Sequence, residues 1–230
     1  MCWTKKRTTT TPRRRPIASG RLPVRTALVF AGLLSLVVFA VAFWLSPVFG
    51  WICVGYTLLM LSYSKWLKKI LILDVMTIAA GFLLRVLAGV QVIKVEFFSP
   101  WLFVLTALLA LFLGFGKRLS ELKLLDASAS DHREVLSGYS VPLLEQYLTV
   151  LLAGILITYC LYTFNSSPHG QHYIMMLTIP FVFYGIFHYM QLLQTDTTAS
   201  APEEVLLHDR PLMITVLLWA LSVVFVLYIL

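Results

Sequence analysis

Seven apolar stretches divide the sequence, at residues 26–46, 48–64, 70–92, 100–116, 143–164, 172–192 and 212–230. Each lies near the ~20 residues that an α-helix needs to cross a bilayer. Inside hydrocarbon the backbone must satisfy its own hydrogen bonds, so a chain can span only as helices or as a closed barrel. The runs here are continuous rather than alternating, which predicts helices. Composition agrees: 59% of residues are hydrophobic and 13% charged, where a soluble domain would carry roughly a quarter charged. The predicted fold class is all-α, a polytopic membrane helical bundle of seven transmembrane helices. It divides into a basic leader over residues 1–25 and a single transmembrane domain over 26–230. The second and fourth stretches are short, so each is expected to run on into polar residues at one end. The first is too long for a cleavable signal and no small-residue cleavage pattern follows it.

Orientation follows from the cations. Eight Lys and Arg residues precede the first stretch, Lys65, Lys68 and Lys69 follow the second, and Lys117, Arg118, Lys123 and Arg133 follow the fourth. The other side holds only Lys94, beside Glu96. The positive-inside rule makes the basic side cytoplasmic, with the amino terminus inside and the carboxyl terminus outside. That topology accounts for the net charge of +7, and nucleic acid is not expected as a partner. Cys53 and Cys160 fall within apolar stretches, so neither a disulfide framework nor a thiolate metal site is inferred.

The third stretch is the least suited to a passive anchor. YSKWLKKILILDVMTIAAGFLLRVLA, from Tyr63 to Ala88, carries a basic mouth, a carboxylate at Asp74 and a guanidinium at Arg85. Ions in hydrocarbon cost several kcal/mol and normally face a protein interior or a wet cavity. Eleven residues at about 100° each bring Asp74 and Arg85 to nearly the same helical face. Both could line one internal site, or each could form a structural ion pair with another helix.

The longest cytoplasmic connection, GKRLSELKLLDASASDHREVLSGYSVP, runs from Gly116 to Pro142. Its LSELKLL portion is predicted to continue the fourth helix as an amphipathic piece lying at the membrane surface. The Lys117–Arg118 pair beside Glu121 suits a phosphorylated ligand, with a metal bridging carboxylate and phosphate. Ordinary insertion topology explains the same cations. Arg13 to Arg15, near the Ser19–Gly20 turn, could anchor anionic lipid or clamp phosphate. Walker, dinucleotide-binding, HExxH and nucleophile-elbow motifs are all missing from the sequence, and the five histidines show no ligand spacing.

Four segments carry a resemblance: RPIASG at Arg15–Gly20, YSKWLKKILILD at Tyr63–Asp74, GFLLRVLAG at Gly81–Gly89 and SPWLFVLTALLALFLGFGKRLSEL at Ser99–Leu122. In this order and spacing the chain resembles the UbiA prenyltransferase superfamily, and more narrowly its polyprenyl-phosphate phosphoribosyltransferase branch. TIPFVFYGIFHYMQLL at Thr178–Leu193 and PEEVLLHDRPL at Pro202–Leu212 fit that branch too.

The resemblance implies an enzyme of the bacterial cytoplasmic (inner) membrane that moves phosphoribose from 5-phosphoribosyl diphosphate to a polyprenyl phosphate, with Mg²⁺ as cofactor. Such a transfer needs cations for the leaving diphosphate and an apolar tunnel for the lipid. On this sequence Tyr63, Lys68 and Asp74 are the catalytic candidates. Lys117, Arg118, Arg85 and Arg15 are the candidates for substrate phosphate, and Glu121 is the remaining metal candidate. Where aryl prenyltransferases of the superfamily carry a second DxxxD motif, this chain has KRLSE at Lys117–Glu121, which favours the phosphoribosyl branch. The alternatives are an aromatic polyprenyltransferase of quinone or haem precursors, or a non-catalytic membrane remnant.

One departure is plain. The superfamily's NDxxDxxxD motif, the main Mg²⁺ site, should precede RPIASG, yet no Asp or Glu occurs before Asp74. Seven helices are what the nine-helix fold leaves without its first hairpin. The expectation is a family member lacking that hairpin, with little or no transfer by a chain of this length.

Overall fold

The computed structural model describes residues 23–93, 99–125, 138–165, 172–195 and 209–228. Arg15, with the leader up to residue 22, and residues 126–137 of the Gly116–Pro142 connection lie outside them. No strand occurs among the described residues. The described residues include seven long helices: α1 (Val24–Leu45), α2 (Pro47–Lys65), α3 (Leu73–Ile93), α4 (Pro100–Leu125), α5 (Val141–Asn165), α6 (Ile179–Thr195) and α7 (Arg210–Tyr228). Among the described residues six segments are long and apolar enough to cross a membrane, and the seventh, Arg210–Val226, is a shorter apolar helix. The chain is thus an all-α, multi-pass membrane protein.

Two compact units divide it, Met1–Val54 and Gly55–Leu230, with the division inside α2. In the first unit, α1 and α2 are joined by Ser46 alone. Its extended backbone ends α1 while its N–H still reaches the Ala42 carbonyl. Pro47 then opens α2 at a position where a missing N–H loses no helical bond. The turn is packed by Phe43 against Trp51, edge to face at 5.8 Å.

In the second unit α4 is the central helix, packing against α5 and α3. Phe112, Phe115 and Leu119 of α4, Val75 of α3, and Leu144, Leu148 and Ile155 of α5 form the core, extended by Ile186, Tyr189 and Leu193 of α6. The short fourth stretch does run on: α4 continues to Leu125, which makes it ~39 Å long. Its last turns pack against the bundle along one face. Arg118, Leu119 and Ser120 are buried among neighbouring helices, because Arg118 finds a carboxylate there. The stretch predicted over 172–192 is not one uniform helix either. A single α-turn at His172–Met175 and a 3₁₀ turn at Met176–Thr178 precede α6. Pro180 explains the break, since its ring clashes with the carbonyl four residues back and it donates no hydrogen bond.

Far from the α5 entry, a chain of buried polar groups ties three segments together. The Trp219 indole N–H of α7 donates to the Tyr159 hydroxyl of α5 at 2.8 Å, and that hydroxyl shares a hydrogen bond with Thr178 Oγ1 at 2.5 Å. Interhelical hydrogen bonds in membranes are worth about 0.6 kcal/mol, up to ~1.7. Tyr159→Phe breaks both bonds and is expected to destabilise the protein by roughly 1–2 kcal/mol, read as a lowered thermal midpoint in detergent.

Candidate active site

Asp74 sits in the first turn of α3, where the helix dipole favours an anion. The chain reaches it from α2 through a 3₁₀ turn, Leu67–Lys69, and then Ile72, which has a φ of 68°. That left-handed conformation costs a β-branched residue ~1–2 kcal/mol, so something must hold it. Tyr139, just ahead of α5, does. Its hydroxyl accepts the Ile72 N–H at 2.8 Å and donates to Asp74 Oδ1 at 3.3 Å.

The other oxygen of Asp74 belongs to α4. Arg118 Nε–H donates to Asp74 Oδ2 at 2.8 Å, and Arg118 Nη1 donates to Glu121 Oε2, one turn further along. Asp74 is 1% exposed and Arg118 3% exposed. A buried ion pair persists only when its remaining donors and acceptors are met, and here both Asp74 oxygens are. Burial in first place, and then the Asp74 charge, push the Tyr139 hydroxyl up to about 12, against the opposing Ile72 N–H. Tyr139 therefore stays a neutral donor at physiological pH.

Around this cluster lie the other polar groups of the same bundle end. Lys123 donates to the Leu193 carbonyl at 3.1 Å, in the last turn of α6 where carbonyls lack helical partners, and lies 3.6 Å from Glu145. Lys117 is half-buried beside Arg118, and Lys65 and Lys68 are exposed on the approach to α3. Lys117 and Lys68 make no ion pair among the described residues.

The structure brings Asp74, Arg118 and Glu121 together and sets Lys117 beside them. Tyr63 is half-buried in the last turn of α2. Arg85 is not part of the cluster. It lies eleven residues along α3, ~16 Å from Asp74 by helical rise, and is exposed. Its Nη2 donates to the Tyr56 hydroxyl at 2.5 Å and its guanidinium lies over the Tyr56 and Phe82 rings. The shared helical face inferred for Asp74 and Arg85 is thus not a shared site: one is buried against α4 and the other is held against α2. Sequence reasoning misses Tyr139. The only signal it offers is an aromatic hydroxyl between Gly138 and Pro142 at a helix entry.

The chain matches the model of the UbiA prenyltransferase family over residues 5–203. It belongs to that family. Among curated relatives, the decaprenyl-phosphate phosphoribosyltransferase of Corynebacterium glutamicum is 30% identical over 224 residues, covering 95% of this chain and 67% of that protein. The enzyme of the same name from Mycolicibacterium smegmatis is 29% identical over 218 residues, 91% of this chain and 68% of the relative. That from Mycobacterium tuberculosis is 28% identical over 213 residues, 93% and 70%.

The polar cluster can be tested for its fit to the Mg²⁺ that the resemblance implies. Mg²⁺ demands octahedral oxygen ligation and keeps several waters. Among the described residues no three acidic, His or Cys side chains group to hold a metal. Asp74 and Glu121 both bind Arg118, and Glu145 lies beside Lys123. These residues do not fit the ion. What they do build is a fixed guanidinium. Only two of its five N–H groups meet protein acceptors among the described residues, at Asp74 and Glu121.

Proposed function

We propose that this UbiA-family membrane transferase moves phosphoribose from 5-phosphoribosyl diphosphate to the phosphate of a polyprenyl carrier. The observation that carries the reading is the similarity, over more than nine-tenths of the chain, to relatives named decaprenyl-phosphate phosphoribosyltransferase. The cluster is chemically suited to it. An oxygen of the lipid phosphate attacks the anomeric carbon, the bond from that carbon to the diphosphate oxygen breaks, and diphosphate leaves with the electron pair. The chain's contribution is cationic. Lys117 and the remaining N–H groups of Arg118 bind phosphate oxygens, with Lys68 on the rim of the approach. Glu121 and Asp74, the latter held in turn by Tyr139, fix the guanidinium before substrate arrives, so that less ordering is left for the reaction. Tyr63 orients the approach.

On this reading the basic end faces the cytoplasm of a bacterial inner membrane, with the amino terminus inside and the carboxyl terminus outside, by the positive-inside rule. No step is assigned to Mg²⁺, since the described carboxylates do not hold it.

The test uses the full chain in nanodiscs containing decaprenyl phosphate, with donor labelled in the ribose. Labelled lipid is expected to form with the chain present and not in empty nanodiscs. Lys117→Ala is expected to lower the rate by about tenfold, the loss of one charge-assisted contact to phosphate. Absence of label in the lipid, or transfer instead from labelled prenyl diphosphate to an aromatic acceptor, overturns the reading.

A further inference from the structure

We infer that Arg118 is the resident cation of the Asp74–Glu121 pair, so that neither carboxylate is a metal ligand in this protein. The inference goes beyond the transferase reading and does not rest on it. Asp74 has both oxygens committed, Oδ2 to Arg118 Nε at 2.8 Å and Oδ1 to the Tyr139 hydroxyl at 3.3 Å. At 1% exposure it is closed to bulk solvent. Glu121 is turned onto Arg118 Nη1 across one helical turn. A divalent ion placed between the two carboxylates would stand where the guanidinium already is, and would be repelled by it. Expelling Arg118 would leave a charge with 3% exposure buried and unpaired, the most unfavourable outcome for a buried pair. Among the described residues no third candidate donor joins them.

Arginine is suited to this post. Its charge is permanent, and its planar fork spans two carboxylates in a way that a point charge cannot. The affinity of a phosphate bound at this end of the bundle therefore does not depend on divalent ions held by Asp74 or Glu121.

The experiment titrates Mn²⁺ into the purified full chain in detergent and follows free Mn²⁺ by electron paramagnetic resonance, with Asp74→Asn and Glu121→Gln alongside. The expected result is either no Mn²⁺ site tighter than about 1 mM, or a site whose affinity is unchanged in both variants and which is therefore held elsewhere. A site weakened tenfold or more by either substitution, the usual effect of losing a ligand or its support, overturns the inference. Glu121→Gln alters a partly exposed side chain, so that arm reads out even if Asp74→Asn folds poorly. Because no turnover is measured, failure of the transferase reading leaves the result intact.

Discussion

Asp74→Ala is expected to destabilise the protein by about 3–5 kcal/mol, the range for breaking a buried ion pair by removing one partner. Most of this is the penalty on what remains. Arg118, 3% exposed, would keep only Glu121 for its charge, and the Tyr139 hydroxyl would lose the carboxylate it donates to. The Ile72 turn would also lose part of its support, since Tyr139 holds Asp74 and the Ile72 N–H together. A double substitution separates the pair's net worth from this penalty. Asp74→Leu combined with Arg118→Met replaces the ions with apolar side chains, and such replacements are often neutral or stabilising. The double variant is expected to recover most of the lost stability while abolishing any transfer. Equilibrium unfolding in mixed micelles, compared across the single and double variants, measures both. If Asp74→Ala costs less than about 1 kcal/mol, like an exposed pair, the interior pairing is wrong.

Why this pair is only half legible in the sequence has a physical reason. Asp74 stands out because a carboxylate near a membrane-length apolar run must find an interior partner, and it does. The partner is harder to name, because helical periodicity reports which residues share a face of one helix and says nothing about which neighbour meets that face. Arg85 shares the helix; Arg118, 44 residues away, shares the packing. A run of KRLSELKLL in isolation reads as surface, with Lys117 and Arg118 as an exposed phosphate clamp. The fold instead commits Arg118 to two carboxylates and leaves Lys117 as the half-buried cation beside them. Tyr139 is invisible because its role depends on Ile72 adopting a positive φ, which nothing in the local sequence demands. The helices themselves are the easiest part, since hydrocarbon admits so few alternatives. Their ends are harder, as the 3₁₀ turn ahead of Pro180 shows.

What sets the Asp74–Arg118 distance is a residue with no side chain. Gly114 lies one helical turn before Arg118 on the same face of α4, and it faces Val75, the neighbour of Asp74. A Cβ on Gly114 would lie 2.5 Å from Val75 Cγ1, well inside van der Waals contact. Val75 is fully buried and, being β-branched, has little rotamer freedom in a helix, so it cannot swing aside. Gly114→Ala is therefore expected to push α3 and α4 apart locally and to cost about 1–3 kcal/mol, as overpacking does. The strain falls on the ion pair, whose hydrogen bonds weaken steeply once donor and acceptor leave the 2.7–3.2 Å range. The control is a second substitution on the other helix. Val75→Ala alone removes buried methyl groups and should destabilise, but combined with Gly114→Ala it also removes the clashing atom. The two changes are expected to compensate, with the double variant more stable than the sum of the singles implies by at least ~1 kcal/mol. Simple additivity in the unfolding free energies would show that α3 and α4 do not meet at these residues. Gly114 would then not be what brings Arg118 to Asp74.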